Sequence, residues 1–192
     1  MDPFIYETSS AILTESFCED LISRFETDNR KHPGMIGRGK VSTINKCTML
    51  SLSHECNDEY MKEEMILHDA LMTMVKQYEE HCTHHCKRKF TYDRKQARIS
   101  GFQLQRTHPG EYYHWHSDEQ DSRQLTYIFY LNSLDDGHTE FYNGERILPK
   151  QGYGLVFPAT WTYIHRGVSP THQTKYIIIG TWSSHTKPHR TL

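Results

Sequence analysis

The stretch Arg123–Asn132 reads RQLTYIFYLN, and its alternation decides the fold. Leu125, Tyr127, Phe129 and Leu131 are all apolar, while Thr126, Ile128 and Tyr130 between them are mixed. Side chains two apart in a strand share a face. One face of this segment therefore suits packing against helices, and the other suits a sandwich interior that holds a polar ligand. Further strand-like segments lie near 97–105, 112–116, 138–142, 153–157, 161–166 and 174–182, separated by the turn-forming THPG, SLDDG, YNGE, PKQG, FPAT and VSPTHQT.

Upstream the texture is helical. SFCEDLISRFET places Ser16 and Glu19 in capping-box spacing and Phe17, Leu21, Ile22 and Phe25 on one face. NDEYMKEEMILHDALMTMVKQYEEH carries Met61, Met65, Met72 and Val75 beside Leu67, Leu71, Met74 and Tyr78, two adjacent stripes read as core-facing. Between them, turn-rich KHPGMIGRGK (31–40) precedes a short strand expected around Val41–Leu52. Helices followed by many short strands predict a mainly β fold buttressed by helices, an antiparallel sandwich or barrel in one domain. The division expected is helical support over 1–90 and a β core over 91–185.

With 192 residues the chain can bury a core without staples. Its 22 Lys and Arg against 24 Asp and Glu leave a formal charge of -2, so no net positive field invites nucleic acid. No apolar run is long enough to span a membrane, MDPFIYETSS lacks the layout of a signal peptide, and five scattered cysteines show no secreted framework. A cytoplasmic protein with reduced thiols is expected. HCTHHC (81–86) spaces two histidines and two cysteines one helical turn apart, but no second ligand pair follows at zinc-finger spacing, so a polar helix end is the simpler reading.

Chemistry concentrates in YYHWHSDE (112–119). His116 and Asp118 are two apart and can aim at one point. His165, in FPATWTYIHRG, supplies a histidine from a distant strand. Two imidazoles and one carboxylate on one face of an octahedral ion leave three positions open, the arrangement of non-haem Fe(II) oxygenases. His114 shares the parity of His116, but the glutamate that a cupin-type His-x-His site needs is missing at the right spacing, so His114 is read as a neighbour. Lys175 opens the β-branched run Ile177–Ile179; a lysine there calls for an anionic partner.

These pieces, YHWHSD, LTYIFYLN, GHTEF, PKQGYGLVFP and HRGVSPTHQTKY, occur in the order seen in the 2-oxoglutarate- and Fe(II)-dependent dioxygenases, and the sequence resembles their prolyl 4-hydroxylase-like branch over roughly 96–184. The resemblance implies a double-stranded β-helix, or jelly roll, with His116, Asp118 and His165 as iron ligands. It implies that Lys175 pairs with the far carboxylate of 2-oxoglutarate, that Tyr130 hydrogen-bonds it, and that Ile128 packs on its carbon chain. Tyr113 matches a substrate-side tyrosine but needs a β-bulge to face inward; Trp182 lines the substrate side with its register off by one. The implied reagents are Fe(II), 2-oxoglutarate, dioxygen and ascorbate, acting on a protein, peptide or small-molecule substrate, with peptidyl proline the family's example. Two departures touch the cosubstrate and substrate walls: QRTHPG stands where a tyrosine is usual, and His138 replaces a glycine. The competing classes are a non-catalytic jelly-roll module that binds metal and a cupin-type metal enzyme that does not use 2-oxoglutarate. The 31–40 loop is a candidate substrate lid.

Overall fold

The computed structural model describes residues 2–36, 40–41, 43–53, 58–92, 97–120 and 122–184. In chain order the elements are β1 (Tyr6–Glu7), α1 (Glu15–Thr27), β2 (His32–Pro33), β3 (Met35–Ile36), β4 (Lys40–Val41), β5 (Asn45–Lys46), β6 (Thr48–Ser51) and α2 (Met61–Cys86). There follow β7 (Ala97–Ile99), β8 (Gln103–Thr107), β9 (Tyr112–His116), β10 (Arg123–Tyr130) and β11 (Thr139–Phe141). The last are β12 (Arg146–Ile147), β13 (Gly154–Pro158), β14 (His165–Gly167) and β15 (Lys175–Ser184).

Two antiparallel sheets face each other. The larger runs β1-β13-β10-β15-β8-β6-β2, with β7 also paired to β15, and the smaller runs β12-β11-β14-β9-β5. This is the jelly roll expected, with α1 and α2 packed on the outer face of the large sheet. The alternation of β10 sorts as read: Leu125, Tyr127, Phe129 and Leu131 join the helix-side core, whereas Ile128 and Tyr130 join the cluster between the sheets.

The division at residue 90 does not hold. β1 pairs with β13, β6 pairs with β8 and β5 pairs with β9, so the first third of the chain edges both sheets as well as buttressing one. Strands of two to four residues carry too little periodicity to be read locally, and their pairing partners are far away in sequence. The segment 97–105 is likewise two strands, broken at Gly101, whose φ of +84° a side-chain-bearing residue rarely adopts.

α1 starts two residues earlier than the Ser16–Glu19 spacing indicates. Thr14 caps it, its hydroxyl accepting from the Phe17 N–H at 3.3 Å. Cys18, Leu21 and Phe25 are its buried residues, with Phe17 and Ile22 only partly covered. In α2 the buried line is Leu67, Leu71, Met74, Tyr78 and Cys82, at helical spacing. The neighbouring stripe is split: Val75 is buried but Met61 and Met65 are exposed, because the sheet covers only the middle of a helix about 39 Å long. Each fully buried Leu or Met on this face contributes about 1.5–3 kcal/mol. Gly180 lets β15 lie against the helix-side core, since a methyl there would collide with the Tyr127 hydroxyl, which donates to the Gly101 carbonyl at 2.7 Å. Among the described residues no helix is long and apolar enough to cross a membrane.

Candidate active site

The site lies between the sheets and is assembled by register. His116 at the end of β9 stands directly opposite His165 at the start of β14, and Asp118 follows two residues beyond β9. The ligand-capable atoms of His116, Asp118 and His165 all lie within 4.8 Å of one another. His116 Nε2 is 3.6 Å from Asp118 Oδ1, and His165 Nε2 is 3.6 Å from Asp118 Oδ2.

The remaining atoms of these side chains are already committed. His116 Nδ1 donates to the His114 carbonyl at 2.7 Å, and His165 Nδ1 donates to the Tyr163 carbonyl at 3.0 Å. Each bond fixes the tautomer, leaving an unprotonated Nε2 turned to the shared point. The Thr126 hydroxyl donates to Asp118 Oδ2 at 2.6 Å, which holds the carboxylate's rotation. His116 Nε2 is buried with no hydrogen-bond partner among the described residues. A buried acceptor left unpaired is costly in a protein interior, and a divalent cation at that point satisfies it. Burial, with the neighbouring His165 adding to it, brings the His116 pKa down to about 4. The imidazole is therefore neutral and ligand-ready at neutral pH. The donor set, two neutral imidazoles and one carboxylate, fits Fe(II).

Tyr113 requires a bulge to reach this point, and the bulge is present. His165 pairs with His116 and Gly167 with Tyr113, so one more residue is used on β9 than on β14. Tyr113 thereby turns inward and stacks flat on His116, ring centroids 3.6 Å apart at 9°. His114 contributes its carbonyl and not its ring. The ring is exposed and rests against Tyr112, so the His-x-His alternative has no geometric support.

Lys175 lines the same cavity, with Ile128, Ile177 and Ile179 as its apolar walls. Lys175 is 3 % exposed, and its ammonium donates to the Gly137 carbonyl at 2.7 Å. No carboxylate is in ion-pair contact with it among the described residues. Burial brings its pKa down to about 8, opposed more weakly by the fields of Cys47 and Asp136. A buried ammonium held this way is chemically suited to meet an anion.

Two sequence-predicted residues fall elsewhere. Tyr130 is fully buried with its hydroxyl bonded to Thr139 Oγ1 at 2.9 Å, and it is Thr139 that lines the cavity. Trp182 is 1 % exposed within the helix-side core. Strand parity decides this: Lys175, Ile177, Ile179 and Thr181 face inward along β15, which turns Trp182 away. In place of the usual tyrosine, β8 sets Gln105 and Thr107 inward, Thr107 directly opposite Lys175. Arg106 between them points outward to Glu26 of α1 at 2.6 Å. Alternation in QRT is the signal that would have found both residues. Asn45 and Cys47, also lining the cavity, had no such signal.

Residues 102–183 match the family model described as the 2OG-Fe(II) oxygenase superfamily. Over these residues the chain carries a 2OG-Fe(II) oxygenase domain. As a 2OG-Fe(II) oxygenase it is an oxidoreductase whose reagents are Fe(II), 2-oxoglutarate and dioxygen. A comparison with curated proteins finds no match. Among solved structures, the viral collagen prolyl hydroxylase vCPH from Paramecium Bursaria Chlorella virus-1, in its 2OG complex, is similar with a TM-score of 0.66 at 17% identity, covering 95% of this chain and 97% of that one. A Trichoplax adhaerens prolyl hydroxylase in complex with a hypoxia inducible factor peptide fragment gives 0.70 at 14%, covering 95% and 84%. A Pseudomonas putida prolyl-4-hydroxylase gives 0.66 at 15%, covering 95% and 93%. At these identities the likeness establishes a shared fold.

Of the remaining expectations, HCTHHC forms the end of α2. His81 and His85 lie ring to ring at 4.3 Å and His85 Nδ1 donates to the His81 carbonyl. Among the described residues the only three-ligand cluster is His116, Asp118 and His165. The candidate lid is partly a hairpin of β3 and β4, and its tip, residues 37–39, lies outside the described residues.

Proposed function

We propose that this oxygenase hydroxylates an unactivated carbon, with His116, Asp118 and His165 holding Fe(II) and Lys175 holding the far carboxylate of 2-oxoglutarate. The observation that carries the reading is one cavity with a cluster of three metal-competent side chains and, separately, a buried ammonium without an ion-pair partner among the described residues. The bound iron supplies the oxygen chemistry, by which substrate C–H, 2-oxoglutarate and dioxygen become C–OH, succinate and carbon dioxide.

The chain's own part is placement. The His114 and Tyr163 carbonyls hold the imidazoles in the ligating tautomer, and Thr126 holds Asp118. Lys175 neutralises the distal carboxylate, with Thr107 and Thr139 hydroxyls on the same wall. Phe141 and Phe157 pack on His165 at 5.8 and 4.7 Å between ring centroids, keeping water from that side. Peptidyl proline is the first substrate to try, supported by the motifs shared with the prolyl hydroxylases and by the inward Tyr113.

The test is succinate formation from 2-oxoglutarate with Fe(II) in air, for wild type, His165→Ala and Lys175→Ala. Turnover is expected to vanish in His165→Ala and to need much more 2-oxoglutarate in Lys175→Ala. Absence of succinate, together with no 2-oxoglutarate-dependent visible band in the anaerobic Fe(II) protein, refutes the reading.

A further inference from the structure

A second cavity, of about 280 Å³, lies on the Asp118 side of the site and shares Asn45, Gln105, Tyr113 and Ile179 with the first. Its size is near the lower end for small-ligand sites and suits a group the size of one amino-acid residue. Met35 and Met49 supply an apolar side.

Its polar side is made of donors. Arg123 lines it, and Arg123 Nη1 donates to the backbone carbonyl of Asp118 at 3.2 Å. Arg24, Arg30, Arg106, Arg146 and Arg166 each engage a carboxylate, but among the described residues Arg123 engages none. Thr181 is 7 % exposed, and its Oγ1 is buried without a hydrogen-bond partner among the described residues. Gln105 is 6 % exposed, and its carboxamide makes no hydrogen bond to another described residue. The inward parity of β15 that turns Trp182 into the core is what delivers Thr181 here. The one carboxylate on this wall, Asp118, is assigned to the metal by the function proposed above. What remains is a partly desolvated guanidinium beside an unpaired hydroxyl and an unpaired amide, a donor set that matches a carboxylate.

We propose that this cavity receives a carboxylate of the prime substrate, bound by Arg123 and Thr181, so that the carbon to be hydroxylated is held beside the triad. The inference rests on the oxygenase reading of the site and deepens it by naming the substrate class. The carboxylate has two sources, the end of the substrate itself or an acidic side chain beside the target residue, and the test separates them.

The experiment uses protein carrying ¹³C-methyl methionine, with 2-oxoglutarate and with Zn(II) standing in for Fe(II) to stop turnover. It is titrated with N-acetyl amino acids bearing a free terminal carboxylate, with end-capped aspartyl and glutamyl residues, and with the neutral amide of each. A carboxylate probe is expected to shift the Met35 and Met49 methyl signals and to bind about tenfold or more tightly than its amide. The arm that does so names the source. Arg123→Met is expected to bring the pair to within about twofold, Arg123→Lys to keep part of the preference, and Thr181→Val to weaken the carboxylate without strengthening the amide. Amides that bind as well as carboxylates, a preference unchanged in Arg123→Met, no binding in either arm, or shifts confined to exposed Met61 and Met65 overturn the proposal. Failure of the underlying reading shows separately, as an anaerobic Fe(II) protein without a 2-oxoglutarate-dependent visible band.

Discussion

Replacing Lys175 by Met separates what the site does for binding from what it costs the fold. The ammonium is buried, and its pKa falls from the ordinary 10.5 to about 8 chiefly by desolvation. At about 1.36 kcal/mol per pH unit, that gap corresponds to roughly 3 kcal/mol of instability while the lysine is charged. Below pH 8 the native and unfolded chains both hold the proton, and the full cost is present. Between pH 8 and 10.5 only the unfolded chain holds it, so wild-type stability climbs with pH; above 10.5 the cost is gone. Methionine of similar length removes the charge but leaves the Gly137 carbonyl without its donor, which returns about 1–3 kcal/mol. Lys175→Met should therefore match or exceed wild type in stability at pH 7, by up to about 2 kcal/mol. Urea unfolding at pH 7 and at pH 10 measures it. The difference between wild type and variant isolates this one group, because other titrating residues are common to both. The same variant should bind 2-oxoglutarate far more weakly, and wild-type affinity should fall as pH rises through 8, where the free lysine must regain its proton to meet the dianion. A variant several kcal/mol less stable than wild type at pH 7, or one whose stability climbs with pH as wild type does, refutes the assignment of Lys175 as a strained anion receptor.

Two further outcomes follow from the same geometry. Trp182→Ala should cost about 3–5 kcal/mol in urea unfolding because it empties a helix-side core position. The temperature-labile variant should nonetheless bind 2-oxoglutarate normally in the cold, and a large loss of affinity there would return Trp182 to the cavity wall. Thr126→Val keeps shape but frees Asp118 to rotate, and should lower metal affinity about 10- to 100-fold in a competition with a chromogenic chelator. An unchanged affinity would mean that the Thr126 bond does not set the carboxylate's orientation.

What could be read without the fold was whatever depends on near neighbours in the chain. The alternation of Leu125 to Leu131 against Thr126 to Tyr130 is a property of one strand, and it correctly marked an inside and an outside. The candidate iron ligands were legible because His-x-Asp is local and because His165 and Lys175 sit in recognisable company in HRGVSPTHQTKY. Even the bulge at Tyr113 followed from parity, since an inward tyrosine and an inward His116 cannot both belong to a regular strand.

The tertiary structure decided everything that turns on which strand lies beside which. Tyr130 has the inward face, but its hydroxyl is bonded to Thr139 on the opposite sheet, and it is Thr139 that lines the cavity. Trp182 differed from Thr181 by one residue, and pairing with β10 and β8 settled which of them faces the site. Gln105 and Thr107 joined the cavity through register with β15, and Asn45 and Cys47 through strands too short to announce themselves. A side chain's chemistry and its periodicity are written in sequence, but its register against a strand dozens of residues away is set by packing the whole sheet, and that is a cooperative property of the folded chain.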